Sequence, residues 1–147
     1  MILPDAAATH AAGLTLAPHV RAGDVIALSG DLGAGKSCFA RGVLAGLGFD
    51  GDVPSPSFPL VIPYDPPAVT LPIWHVDLYR LDGPQDAEPL ALDEALYDGA
   101  LMIEWPERLD ARLWPEALLL RFDFVGNSGR RLTVTAPPSW EARCPLH

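Results

Sequence analysis

Lys36 is the only lysine among ten basic side chains, the other nine being arginine. It lies in Gly30-Asp31-Leu32-Gly33-Ala34-Gly35-Lys36-Ser37, a complete match to the phosphate-loop pattern G-x-x-x-x-G-K-[ST]. A compact ammonium on a flexible stem can thread between phosphate groups as a point charge, which a planar guanidinium cannot. The pattern constrains the fold because it works as the turn between a strand and a helix. Asp24-Val25-Ile26-Ala27-Leu28-Ser29 is a short apolar run suited to a buried strand. From Lys36 to about Leu47, the residues Phe39, Val43, Leu44 and Leu47 recur at helical spacing, with Gly48 as the stop. Strand, glycine-rich turn and helix N-terminus together aim backbone N–H groups and the positive end of the helix dipole at one point, an anion site for phosphates.

A chain of 147 residues with 49% hydrophobic content builds one sizeable core, so a single domain over 1–147 is expected. The net charge of -9 argues against this chain gripping a nucleic-acid backbone by itself, because that affinity comes largely from lysine and arginine on phosphates. Contact with RNA is therefore expected only indirectly, through a partner. Cys38 and Cys144 do not form a metal-ligand spacing and read as reduced packing thiols. The N-terminus lacks a basic segment followed by an apolar one, and no apolar run reaches membrane-spanning length. A cytoplasmic protein without membrane contact is the expectation.

Along the chain, Asp5 to about Val20 reads as a helix, weakened toward its end by Gly13 and Pro18. The loop from Gly48 to Phe58 is rich in Gly, Asp, Pro and Ser, and its two prolines stiffen Val53-Pro54-Ser55-Pro56-Ser57-Phe58. Leu60 to Tyr64 and Leu71 to Leu78 are strand candidates. The turn-forming Asp65-Pro66-Pro67 between them implies an antiparallel pair. Asp86 to Leu96 suggests a short helix, and Ala100 to Ile103 a buried strand ending at Glu104. Leu118 to Val125 and Arg131 to Thr135 alternate around Gly126-Asn127-Ser128-Gly129, a hairpin signal. The segment beyond about Pro137 is expected to be loose.

A phosphate-loop site also needs acidic groups at strand ends to organise Mg²⁺, because the Ser37 hydroxyl supplies one oxygen to an ion that prefers near-octahedral coordination. Two strands deliver candidates, one ending in Asp77 and the other in Glu104. Either alone is equally well read as an acidic residue facing water at a strand terminus. His75, two residues before Asp77, is more commonly a hydrogen-bonded core or surface residue than a catalyst.

Four segments occur in order: the Gly30 to Ser37 loop, Val53-Pro54-Ser55-Pro56-Ser57-Phe58, His75-Val76-Asp77-Leu78-Tyr79-Arg80-Leu81, and Glu104-Trp105-Pro106-Glu107. Together they resemble the bacterial TsaE family, small ATPases of tRNA threonylcarbamoyladenosine synthesis. The family usually carries threonine where this chain has Ser37 and Ser57, which keeps the hydroxyl. It is also seldom so proline-rich as Pro59 to Pro67. The resemblance implies an α/β, three-layer P-loop NTPase fold, with a mixed, mostly parallel sheet that includes antiparallel strands and helices on both faces. It implies ATP and Mg²⁺ as cofactors. Asp31, Leu32, Gly33, Ala34, Gly35, Lys36, Ser37 and Cys38 would bind the nucleotide together with Trp105. Ser37 with Asp77 or Glu104 would arrange the metal. Lys36, Glu104 and Ser57 would act in hydrolysis, Glu104 nearest the attacking water and Ser57 on a switch-like loop. For Trp105, a core aromatic is the competing reading, and for Arg80 a surface ion pair is as good a reading as a phosphate or partner contact.

The function implied is a partner-activated, Mg²⁺-dependent ATPase acting with TsaD-like and TsaB-like proteins. A small-molecule kinase is the alternative, since Arg121 and Arg130-Arg131 have lid-like spacing, although the Gly-Asn-Ser-Gly turn between them favours a hairpin. A nucleotide-dependent scaffold without turnover is a further alternative. A regulatory GTPase is disfavoured, because the guanine-reading Asn-Lys-x-Asp motif needs a second lysine that this chain lacks.

Overall fold

The apolar run after Asp24 becomes β2 (Val25–Ser29), the centre of a seven-stranded sheet in this computed structural model, which describes residues 1–54 and 60–147. The other strands are β1 (Ile2–Leu3), β3 (Val61–Tyr64), β4 (Ile73–Asp77), β5 (Ala100–Glu104), β6 (Leu118–Val125) and β7 (Gly129–Thr135), in the spatial order β1-β7-β6-β2-β5-β4-β3. The centre, β6-β2-β5-β4, is parallel, and antiparallel pairs close both ends. The expected β3–β4 antiparallel pair and the β6–β7 hairpin are both present.

Alternation along the central strands gives the sheet two buried faces, because successive side chains point to opposite sides. Ile26, Leu28 and Met102 pack under α1 (Ala6–Leu16) and α2 (Lys36–Gly46), where Leu16, Phe39, Val43 and Leu44 are fully buried. Phe39 meets Phe122 of β6 edge-to-face, with centroids 5.5 Å apart. Such a pair adds about 0.5–1.5 kcal/mol beyond its buried area. Val25, Ala27, Leu101 and Ile103 pack on the other face under 3-10 turns at Pro84–Leu90, Leu92–Tyr97 and Pro106–Arg112. The three-layer α/β arrangement is therefore present, with α-helices on one face and 3-10 turns on the other.

The Asp86 to Leu96 segment is not the single helix that its apolar spacing predicts. Pro89 lacks an N–H to donate, and Ala91 adopts a left-handed conformation at φ 50°, so the segment breaks into two 3-10 turns. The first helix ends at Leu16 and tightens into a 3-10 turn over Ala17–His19, where Pro18 cannot continue an α-helical ladder. Gly13 does not weaken that helix to no purpose. It faces Gly42 of α2, where an added Cβ would lie 2.1 Å from the backbone oxygen of His10, so α1 and α2 cross at backbone contact.

The segment beyond Pro137 corrects the sequence reading. It forms a short helix, α3 (Pro138–Glu141), with Trp140 fully buried. Arg143 stacks 3.7 Å from the Trp140 ring and makes two 2.7 Å bonds to the carboxylate of Asp24, just before β2. A buried indole and a bidentate ion pair hold the segment where composition alone predicts a frayed end.

Candidate functional site

Parallel strands carry their C-terminal ends to one edge of a sheet, which is where ligands of open α/β folds bind. At that edge β2 runs into the glycine-rich loop, β4 ends in Asp77 and β5 ends in Glu104. The loop enters α2 through Gly35, whose φ of 112° is left-handed. Gly30 is required on two counts: its φ is 141°, and a Cβ there would lie 2.5 Å from the carbonyl oxygen of Phe122. Glycine lets the loop turn back tightly enough to aim its amides and the α2 N-terminus into one cleft.

That cleft has a volume of about 450 Å³, and Lys36, Ser37, Asp77, Tyr79, Glu104 and Trp105 are among the residues that line it. Lys36 is 5% exposed, and its ammonium donates to the backbone oxygens of Gly30 and Asp31, the latter at 3.2 Å. Burial lowers its pKa, while the charges of Glu104, Glu107, Asp77 and Asp31 work against that shift. The ammonium also sits 4.2 Å from the centre of the Trp105 ring. Trp105 reaches this place through a left-handed backbone at φ 60° and ψ 52°, which costs about 1–2 kcal/mol for a residue with a side chain. Its ring also packs on Tyr79 at 4.9 Å.

The acidic groups converge on the same cleft. The Ser37 hydroxyl lies 3.2 and 3.4 Å from the two oxygens of Glu104. His75 Nε2 lies 2.7 Å from Glu104 Oε2. Asp77 Oδ1 accepts from the Tyr79 amide at 2.9 Å. Burial pushes the Asp77 carboxyl upward. The Tyr79 amide opposes that shift, Glu104 adds to it, and His75 and Lys36 oppose it more weakly.

The structure thus brings Lys36, Ser37, Asp77, Glu104 and Trp105 into one cleft, 67 residues of chain separating Ser37 from Glu104. Gly33, Gly35 and Cys38 also line it. Leu32 lines it too, its side chain 64% exposed, while Asp31 accepts from the Lys36 ammonium through its backbone oxygen and Ala34 is the buried residue of the loop. Ser57 lies outside the described residues. Arg121 and Arg130, with spacing that also suits a lid, sit on β6 and β7. Arg121 contacts Asp123 at 3.3 Å, and Arg130 donates to the backbone oxygens of Gly33 at 3.0 Å and Ala34 at 3.1 Å.

The sequence offers Arg130 only as a lid candidate, and its contact with the phosphate loop is what sequence reading misses. Arg130 fastens the phosphate loop from the far side across 96 residues, a separation no local periodicity can signal. His75 is the second case. The sequence reads it as a hydrogen-bonded core or surface residue; it is buried, and its bond goes to the acidic residue at the centre of the cleft.

Chemically, the cleft offers an anion cradle beside hard oxygen donors. Among the described residues there is no group of three or more His, Cys, Asp or Glu able to hold a metal ion by themselves. The Ser37 hydroxyl and the Asp77 and Glu104 carboxylates are hard oxygen donors, the type that Mg²⁺ takes beside waters and phosphate oxygens.

Comparison with known proteins agrees with this architecture. Residues 3–132 match the family model described as "Threonylcarbamoyl adenosine biosynthesis protein TsaE". A protein of Streptomyces coelicolor named "tRNA threonylcarbamoyladenosine biosynthesis protein TsaE" is 42% identical over 128 residues, covering 84% of this chain and 86% of that one. A Bacillus subtilis protein of the same name is 36% identical over 129 residues, covering 87% and 79% of the respective chains. The crystal structure of Bacillus subtilis YdiB superposes with a TM-score of 0.82 at 30% identity, covering 98% of this chain and 89% of that one.

Proposed function

The chain belongs to the TsaE family, and on that premise we propose that it is a Mg²⁺-dependent ATPase serving threonylcarbamoyladenosine synthesis in tRNA. One observation carries the reading. Lys36 and Ser37 of a phosphate loop share a cleft with two strand-end carboxylates, and Ser37 faces one of them at 3.2 Å. A loop that merely joins a strand to a helix has no use for a buried lysine surrounded by carboxylates. The arrangement suits a nucleotide phosphate chain with its cation.

In this reading the amides of the loop and the Lys36 ammonium hold the phosphates and meet the charge that builds on them as the bond to the leaving group breaks. Ser37 and Asp77 would hold Mg²⁺, which supplies charge neutralisation on the phosphate oxygens when bound. Glu104, buried and fixed by neighbours, orients the water that attacks and accepts its proton. Trp105 covers Lys36 and limits water around it.

A net charge of -9 makes direct tRNA binding a poor source of specificity. Hydrolysis is therefore coupled to work through proteins, and TsaD-like and TsaB-like partners are the proposed ones. The kinase alternative loses its lid, because Arg121 and Arg130 lie on a hairpin. Depleting the protein from its native cells and measuring threonylcarbamoyladenosine in digested tRNA by mass spectrometry tests the role. Loss of the modification is expected, and an unchanged level would contradict it.

A further inference from the structure

Glu104 is held from two sides, and only one of the two contacts belongs to the phosphate loop. His75 and Asp77 project from β4 toward α2, as Glu104 does from β5, and the parallel register sets Asp77 opposite Glu104 and His75 opposite Met102. His75 is therefore the diagonal neighbour of Glu104, 1% exposed, with Nε2 at 2.7 Å from Oε2. Its other ring nitrogen, Nδ1, is buried and has no hydrogen-bond partner among the described residues.

These facts fix the ring's role. With a proton on Nδ1, a buried N–H would be orphaned and two lone pairs would face each other at Nε2 and Oε2. With the proton on Nε2, the ring donates a short, charge-assisted bond to the carboxylate. Every polar contact the ring makes is then spent on one oxygen of Glu104. A glutamate's last torsion is broad and weakly determined, so this bond sets the carboxylate plane. Ser37 lies 3.2 Å from the other oxygen, Oε1.

We propose that His75 is a positioning residue, an Nε2–H donor that locks the Glu104 carboxylate in the orientation used to direct water. The inference rests on the hydrolytic role proposed above for Glu104. It differs from a packing role in that an amide able to reach Glu104 should substitute, whereas an apolar side chain of similar size should not. Removing such a supporting hydrogen bond typically costs about 10–100-fold in activity or metal affinity.

Two measurements test it. A long-range ¹H–¹⁵N spectrum of the free protein, with the His75 signals assigned by their loss in His75→Gln, should show the Nε2–H tautomer; an Nδ1–H tautomer would overturn the proposal. In ATP hydrolysis with the partner proteins, His75→Leu should lower kcat by about 10–100-fold with KM for ATP near the wild-type value, and His75→Gln should recover most of the loss. Equal losses in folded Leu and Gln variants, or a change confined to KM, would also overturn it. If His75→Leu does not fold, the Gln variant decides: turnover close to wild type supports the proposal, and a loss as large as that of Glu104→Gln rejects it. Should the wild-type protein hydrolyse no ATP even with partners, the proposed activity fails, while the tautomer, read without nucleotide, still decides the role of the histidine.

Discussion

Asp77 and Glu104 are direct partners in the parallel register of β4 and β5, each the last residue of its strand, and they are 7% and 3% exposed. Two acidic side chains side by side in a buried place are held there against their own desolvation, which is expected where a cation is to be bound.

This arrangement has a pH signature in the free protein. Burial raises the Asp77 pKa above the ordinary aspartate value of 3.8. Below that value the folded and unfolded chains both hold the proton, and Asp77 carries no penalty. As pH rises through the raised folded value, the unfolded chain ionises freely and stability is lost, remaining lost at neutral pH. Asp77→Asn should therefore raise Tm at pH 7, by about 2–4 °C if about 1 kcal/mol is relieved. The gain should fade as pH falls toward 3.8. Thermal melts across that range check both the sign and the window.

The same two residues should separate functionally. Asp77→Asn is expected to weaken the Mg²⁺ dependence of nucleotide binding. Glu104→Gln should leave ATP bound while cutting turnover about 10²–10⁴-fold, the range for losing a group that positions or deprotonates a nucleophile. Calorimetric titrations with and without Mg²⁺, beside steady-state rates, distinguish the two. If Glu104→Gln abolishes metal dependence and Asp77→Asn does not, the roles are exchanged.

Lys36→Ala should lower hydrolysis by about 10²–10³-fold or more, the magnitude for removing a preorganised group that meets transition-state charge. Lys36→Arg should fare little better. The ammonium sits between two backbone oxygens and the Trp105 ring at 4.2 Å, a space shaped for a point charge and not for a planar fork. Near-normal turnover by the arginine variant would contradict the assignment.

The α1–α2 contact gives a stability prediction independent of the cleft. At Gly42 an added Cβ would lie 2.1 Å from the His10 backbone oxygen and 3.1 Å from the Gly13 Cα, so the helices must separate. Gly42→Ala should cost about 1–3 kcal/mol or more by overpacking, read as a fall in the denaturation midpoint. Gly126→Ala, with no atom within 4 Å of the added Cβ but a φ of 63°, should show only the smaller backbone cost.

How much of this was legible in the sequence follows from the range of each interaction. The β2–loop–α2 unit, the strands ending in Asp77 and Glu104, the β3–β4 pair and the β6–β7 hairpin announce themselves through local periodicity and turn residues. The 84–97 segment does not, because its apolar spacing is helical while Pro89 and the left-handed Ala91 interrupt the backbone. Two-residue β1 exists only through its pairing with β7, and Trp140 is ordered only by the core it enters. At the cleft, residue types were legible but their partners were not. The His75–Glu104 bond spans 29 residues and Arg130 reaches the loop across 96, and contacts of that kind leave no spacing to read.

Whether this cleft hydrolyses ATP is decided by phosphate release from Mg²⁺-ATP by the purified protein, alone and with TsaD-like and TsaB-like proteins, with Glu104→Gln run in parallel. The expected result is slow turnover alone, acceleration by the partners, and loss of both rates in the Glu104→Gln variant, which still binds ATP. No release above background from the wild-type protein in any mixture, or equal release by the variant, would contradict the proposed activity.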